Sequence, residues 1–255
     1  VKGLPVTAED INAAAEMCEV CNKTKLTRLP FPASTTKTSA PLELIHMDLC
    51  GPLEESLGKS KYFATYLDDY SGYSAVVLQK NKSVTFKATM DIFALYETQL
   101  EKKIKAVRTD NGGEYTSNQL EDYFKEKGVE HQTTMAYTPQ QNGKAERLNR
   151  TLMERTRAML QEANLPDTLW AEAVNTASYI RNRSPTSGKD KTPWELFTGK
   201  KPDISNLRVF GCEAYVHIPR HKRTKLDNTA EKGIMVGYMP NGYRILLEDN
   251  TVQTS

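Results

Sequence analysis

At 255 residues the chain is long enough for one substantial core plus a small appended module, so burial alone does not limit the fold. It is 38 % hydrophobic and 26 % charged, and no apolar run approaches the roughly eighteen residues of a bilayer span, which argues for a soluble protein with no membrane partner. A net charge of only +2 does not by itself mark a nucleic-acid binder, so any such case rests on local clusters.

The start, Val1-Lys2-Gly3, carries neither an initiator methionine nor a charged-then-apolar leader and reads as a segment of a longer chain. Residues 1–28 form a head containing Cys18 and Cys21, and 29–41, rich in Pro, Ser and Thr, reads as a linker. With Cys50 and Cys212 as singletons, the cysteines do not make a secreted disulfide framework, and a reducing, intracellular setting is expected. Residues 42–200 read as the main domain. LIHMDL, YFATYLDDY and YSAVVLQ predict three strands, the last two a hairpin turning at Ser71-Gly72. Val84, Phe86, Ala88, Ile92, Phe93, Leu95 and Tyr96 predict the core face of a helix. KIKAVRTD is a fourth strand, ended by Asn111-Gly112-Gly113 as residues that readily take positive φ. Ser117 to Lys127 is a helix closed by Gly128, and Val129 to Thr133 a fifth strand. After the loop from Tyr137 to Gly143, the spacing of Ala145, Leu148, Leu152 and Met159 predicts a long amphipathic helix. A further helix, capped by Asp167, runs from about Thr168 to Asn182 and stops before Ser184-Pro185. Residues 201–255, with RVFGCEAYVHI, GIMVGYM and YRILLED, predict a small β-rich module, taken as incomplete because the chain stops at Ser255. Cys212, Trp170 and Trp194 are read as packing residues.

Three acidic residues stand where a solvated charge would be out of place: Asp48 inside an apolar strand, Asp110 at the tip of another, and Glu146 on the long helix. Taken singly, an aspartate at a strand end is as well explained by a turn or a cap. Together they suit two magnesium ions, which prefer oxygen ligands and take only one or two protein carboxylates each. Glu146, Asn149, Arg150, Met153 and Arg157 share a helix face distinct from the Ala145-Leu148-Leu152 stripe. Between Asn142 and Arg157, five cations stand against two carboxylates, a charge excess that fits either a phosphate backbone or a solvated face. RHKRTK, Arg220 to Lys225, is equally open between a nonspecific DNA contact and an exposed turn. Cys18-x-x-Cys21 is half of a zinc site, and all four histidines lie downstream in other elements.

HMDLCGP (46–52), RTDNGGEY (108–115) and YTPQQNGKAERLNR (137–150) resemble the three blocks of retroviral and retrotransposon integrases. Phe31, WAEA (170–173), NRSP (182–185), TPWE (192–195), Lys201-Pro202 and LRVFGC (207–212) are similar to the copia-type branch, so the resemblance covers nearly the whole chain. It implies a ribonuclease-H-like α/β fold, a five-stranded mixed sheet flanked by helices with Asp48, Asp110 and Glu146 meeting at one edge. It also implies an endonuclease and strand-transfer enzyme using two Mg²⁺ ions, with Mn²⁺ able to substitute, on double-stranded DNA of element and target. Lys144, Asn149 and Arg150 match DNA-facing positions, while Tyr137, Gln141 and Asn142, in a loop whose Gly143 permits movement, are open between a contact with the DNA end and a plain loop role. Zinc on Cys18 and Cys21 would need a histidine pair that similar integrases place upstream. A homo-oligomer, and a nuclear or virus-like-particle location, follow from the resemblance alone. The alternatives are a domesticated or inactive DNA-binding copy and a ribonuclease H.

Overall fold

The computed structural model describes residues 38–110, 112–133, 142–186 and 188–254. Two sheets organise these residues. The first contains β1 (Ile45–Cys50), β2 (Tyr62–Asp68), β3 (Ser74–Gln79), β4 (Ala106–Thr109) and β5 (Glu130–Thr133), in the order β3-β2-β1-β4-β5. β3, β2 and β1 pair antiparallel, while β4 and β5 continue parallel to β1, so the sheet is mixed. The hairpin turn falls where expected: Gly72 has φ +75°, and the Ser71 N–H and hydroxyl both bond to the Asp68 carboxylate.

Strand alternation divides the core. Ile45 and Met47 of β1 and Ala64 and Tyr66 of β2 pack on one face against α1 (Thr85–Leu100) and α2 (Asn118–Lys127), through Ile92, Phe93, Tyr96, Leu120 and Phe124. Phe63 and Leu67 pack on the other face against α3 (Gly143–Glu162) and α4 (Trp170–Arg183), through Leu148, Leu152, Ala173 and Val174. Each fully buried Leu or Phe here contributes about 1.5–3 kcal/mol. His46, Asp48 and Cys50 therefore point toward α3, and this places the candidate site.

Several expectations are corrected. Leu95 and Val84 are exposed, whereas Thr85 and Thr89 are buried on α1, their hydroxyls bonded to Gln79 and to the Thr85 carbonyl. Gly112 and Gly113 are not among the positive-φ residues. Gly112 leaves room instead: a Cβ there would lie 3.0 Å from Asp110 Oδ1 and 3.0 Å from Glu114 Cδ, so these side-chain ends would have to shift to admit it. Asp167 makes no cap bond, and α4 is entered through a 3₁₀ turn, Asp167–Leu169. A short helix not anticipated, α5 (Pro193–Thr198), starts with Thr192 Oγ1 accepting from Glu195 N–H and ends at Gly199, φ +74°.

The second sheet comprises β6 (Glu213–His217), β7 (Ala230–Met239), β8 (Gly242–Leu247) and β9 (Val252–Thr254), all antiparallel in that order. Arg208 and Val209 lie outside its first strand, and Val209 is exposed. One face encloses Val216, Met235, Ile245 and Leu247. The other, through Val236 and Leu246, joins the core around α3 and α4, where Arg244 clasps Glu172 with two 2.7 Å bonds. Among the described residues no helix is long and apolar enough to cross a membrane.

Candidate active site

Backbone register brings the first two carboxylates together. β1 and β4 pair in parallel with Ile45 against Val107 and His46 against Arg108. Continuing that register past the end of β4 sets Asp110 opposite Asp48, and adjacent strands lie about 4.8 Å apart. Two side-chain amides then tie α3 to β1: Asn142 Nδ2 donates to the Met47 carbonyl at 3.2 Å, and Asn149 Nδ2 to Asp48 Oδ2 at 2.9 Å. Glu146, exposed, lies between those two tethers in the helix sequence.

Asp48 feels the arrangement electrostatically. Burial foremost, then the charges of Asp110 and Glu146, push its carboxyl up to about 7, against bonds from the Leu49 N–H and the Asn149 amide that favour the ionised form. Burial foremost, then the charge of Asp48, push the neighbouring Cys50 thiol up to about 11. His46 points to the same side but its Nε2 is engaged by Asp69 at 2.6 Å. The three candidate residues Asp48, Asp110 and Glu146 offer carboxylate oxygens only. Among the described residues no group of three His, Cys, Asp or Glu side chains is gathered tightly enough to hold one ion. Asp48, which interacts with each of the other two, is the shared member of two carboxylate pairs.

Asp110 is fixed by its surroundings. Its Oδ1 accepts from the Gly112 N–H at 3.0 Å, and its carbonyl accepts from the Thr109 hydroxyl at 2.8 Å. Behind Thr109 stands His131, 2.9 Å from the hydroxyl and 2.5 Å from Glu121 on α2.

The six expected DNA-facing residues separate. Tyr137 and Gln141 lie outside the described residues, as do Cys18 and Cys21. Asn142 and Asn149 are buried, with their amides on β1. Asn149 thus belongs to the buried side of α3 rather than its polar face, and its Oδ1 accepts from Thr65 on β2, directly opposite Asp48 in the ladder. Lys144 reaches Asp69 at 2.5 Å. Arg150 is exposed. Sequence reasoning missed Thr65 as a support of Asp48; its signal was a lone threonine within the apolar strand YFATYL.

Comparison with known proteins agrees with this architecture. Residues 38–139 match the family described as Integrase core domain, and 212–255 the Retroviral polymerase SH3-like domain. The chain is 42 % identical over 232 residues to the Retrovirus-related Pol polyprotein from transposon TNT 1-94 of Nicotiana tabacum, covering 89 % of this chain and 18 % of that protein. It is 32 % identical over 223 residues to that from transposon RE2 of Arabidopsis thaliana, covering 87 % and 15 %. With the Transposon Ty1-LR3 Gag-Pol polyprotein of Saccharomyces cerevisiae it shares 30 % over 190 residues, covering 71 % and 11 %. The chain therefore spans less than a fifth of the length of these relatives. Its fold is that of a chain in the simian T-cell lymphotropic virus intasome bound to PP2A regulatory subunit B56 gamma, with TM-score 0.62 and 16 % identity, covering 98 % of this chain and 88 % of that one. Fold and matches define an integrase core of ribonuclease-H-like architecture followed by an SH3-like sheet. Within that class, the chain belongs to the copia-type retrotransposon integrases carried in Pol polyproteins.

Proposed function

We propose that the chain catalyses metal-dependent trimming of the 3′ ends of element DNA and their transfer into a target duplex. The observation carrying this reading is Asp48: half-buried, held by the Asn149 amide and the Leu49 N–H, and under the charge of both Asp110 and Glu146. Carboxylates that raise one another's proton affinity in this way are stabilised by a shared cation. An all-oxygen donor set suits Mg²⁺, with Mn²⁺ able to stand in, and Asp48, Asp110 and Glu146 would hold two ions without any one ion needing all three. Bound there, such ions supply activation of the attacking oxygen and stabilisation of the leaving oxygen in an in-line displacement at phosphorus.

The chain's own residues supply positioning. Asn149, with Thr65 behind it, fixes the Asp48 rotamer, and the Gly112 N–H fixes Asp110. Arg150 and Lys144, on either side of Glu146 in the sequence, would meet phosphates of a duplex. Tyr137 and Gln141 are assigned to meet the DNA end, with the buried Asn142 tying the start of α3 to β1 instead. Joining two element ends to one target calls for a homo-oligomer, acting in the nucleus or a virus-like particle. Cys18 and Cys21 would complete a zinc site only with residues upstream in a longer protein.

Incubating the chain with a short terminal-repeat duplex, target DNA and Mg²⁺ tests the reading. Joined products are expected from the wild type and none from Asp110→Asn, whose amide lacks the charge the cations require. Joining retained by a folded Asp110→Asn variant would rule the assignment out.

A further inference from the structure

Between the β2–β3 turn, the first half of α3 and the C-terminal end of α4 lies an open cavity of about 350 Å³. Four of its lining residues are cations: Lys144, Arg147, Arg181 and Lys189. Two carboxylates share the lining, and both are already committed. Asp68 accepts from the Leu42 and Ser71 N–H groups and the Ser71 hydroxyl. Asp69 is taken by Thr38, His46 and Lys144. Against four cations the two carboxylates leave the lining with an excess of two positive charges.

Arg181 makes the case sharpest. It is half-buried, yet its recorded bonds run from Nη1 alone, to the Gly72 carbonyl at 2.7 Å and to Ser74 Oγ at 3.4 Å. Its Nε and Nη2 have no partner among the described residues, and neither is sealed from solvent. Burial first, and then the charge of Arg155, push its pKa down to about 10. Lys189, bonded to the Tyr70 carbonyl, is lowered by burial and by Lys144 and Arg181, with Asp68 and Asp69 acting in the opposite direction. A half-buried guanidinium with free N–H donors, set among excess positive charge, favours an anion that completes its hydrogen bonds. The planar guanidinium fork matches phosphate oxygens in particular.

Position in the fold narrows the ligand. Lys144, Leu148 and Thr151 line the cavity from one flank of α3, Glu146 and Arg150 occupy the other flank, and Arg147, also lining the cavity, stands on the outward face between them. The two flanks are one helix width apart, about 10–12 Å. A duplex, whose major groove is about 12 Å wide, can lay separate phosphates on both. We infer that the cavity binds a backbone phosphodiester of duplex DNA, as a subsite distinct from the carboxylate cluster.

This inference rests on the DNA reading above, and the test separates the two. Binding of a labelled duplex to the whole chain is followed by fluorescence anisotropy across a salt series, for the wild type, Arg147→Glu, Lys189→Glu and Lys87→Glu. Lys87 is an exposed cation of α1, beyond the opposite face of the sheet, and controls for net charge. Arg147→Glu and Lys189→Glu should each weaken binding roughly ten-fold more than Lys87→Glu does, and lower the salt slope by about 0.9 for one lost phosphate. If both behave like the Lys87→Glu control, the subsite is overturned while wild-type binding upholds the DNA reading. A wild type that binds no duplex at any salt overturns both. Inorganic phosphate is titrated separately by thermal shift: stabilisation of the wild type but not of Arg147→Glu, with duplex affinity the same in both, would reassign the cavity to a free anion and overturn the DNA assignment.

Discussion

Replacing Asp48 by asparagine removes a carboxyl that the fold holds at about 7 instead of its ordinary 3.8. Between those values the native state binds the proton more tightly than the unfolded chain, so in the absence of a cation stability falls as pH rises from about 4 to about 7 and stays low above. About three pH units correspond to a strain on the order of 4 kcal/mol. Against that gain, asparagine has one carbonyl where Asp48 serves two donors, the Leu49 N–H and the Asn149 amide. Losing one of those bonds costs about 1–3 kcal/mol. The net expectation is that Asp48→Asn stabilises the metal-free protein by about 2 kcal/mol at about pH 8, or about 4–8 °C in melting temperature for a domain of this size. Near about pH 5, where wild-type Asp48 is mostly protonated, the advantage should disappear. Mg²⁺ should raise the melting temperature of the wild type and leave the variant unmoved. Differential scanning calorimetry at both pH values, with and without Mg²⁺, makes the comparison. A difference independent of pH, or a variant that Mg²⁺ stabilises as much as the wild type, would refute the reasoning.

Asn149→Ala strips Asp48 of its amide donor and Thr65 of its acceptor. Mg²⁺-dependent joining should drop about 10- to 100-fold, with a higher Mg²⁺ requirement; an unchanged Mg²⁺ titration would count against a positioning role. In Gly112→Ala the new methyl meets the ends of the Asp110 and Glu114 side chains, which can move, so joining should fall while urea denaturation shifts by less than about 1 kcal/mol. Gly211→Ala meets no such latitude. Gly211 has φ +86° and its added Cβ would lie 2.3 Å from Ala163 Cβ, so denaturation should show a loss of about 3 kcal/mol, and a loss below about 1 kcal/mol would contradict the described close approach of chain and helix.

Elements with a regular period were legible in the sequence. The two faces of the first sheet and the stripe on α3 follow from alternation and helical spacing, and Asp48 stood out because it interrupts an apolar strand, whereas Asp110 at a strand tip and the exposed Glu146 were singled out with it by the resemblance of their surrounding motifs. What periodicity could not show was which polar residues are buried. Asn149 sits at the border of the apolar stripe, and its assignment depends on Asp48 and Thr65, which lie far away in the chain. The carboxylate pairing was likewise a matter of register: nothing local says that β4 runs parallel to β1 with Val107 against Ile45. Gly112 illustrates a glycine whose purpose is space, and propensity alone pointed to its dihedral instead. The short α5 carried its signals openly in Thr192, Pro193 and Gly199, but six residues are too few for a hydrophobic period to announce it.

The central claim concerns metal ligation, and anomalous diffraction from crystals soaked in Mn²⁺ tests it most directly. Density should appear in contact with Asp48 and with at least one of Asp110 and Glu146, and vanish from Asp48→Asn crystals. Manganese bound elsewhere while these three carboxylates remain without it would contradict the assignment.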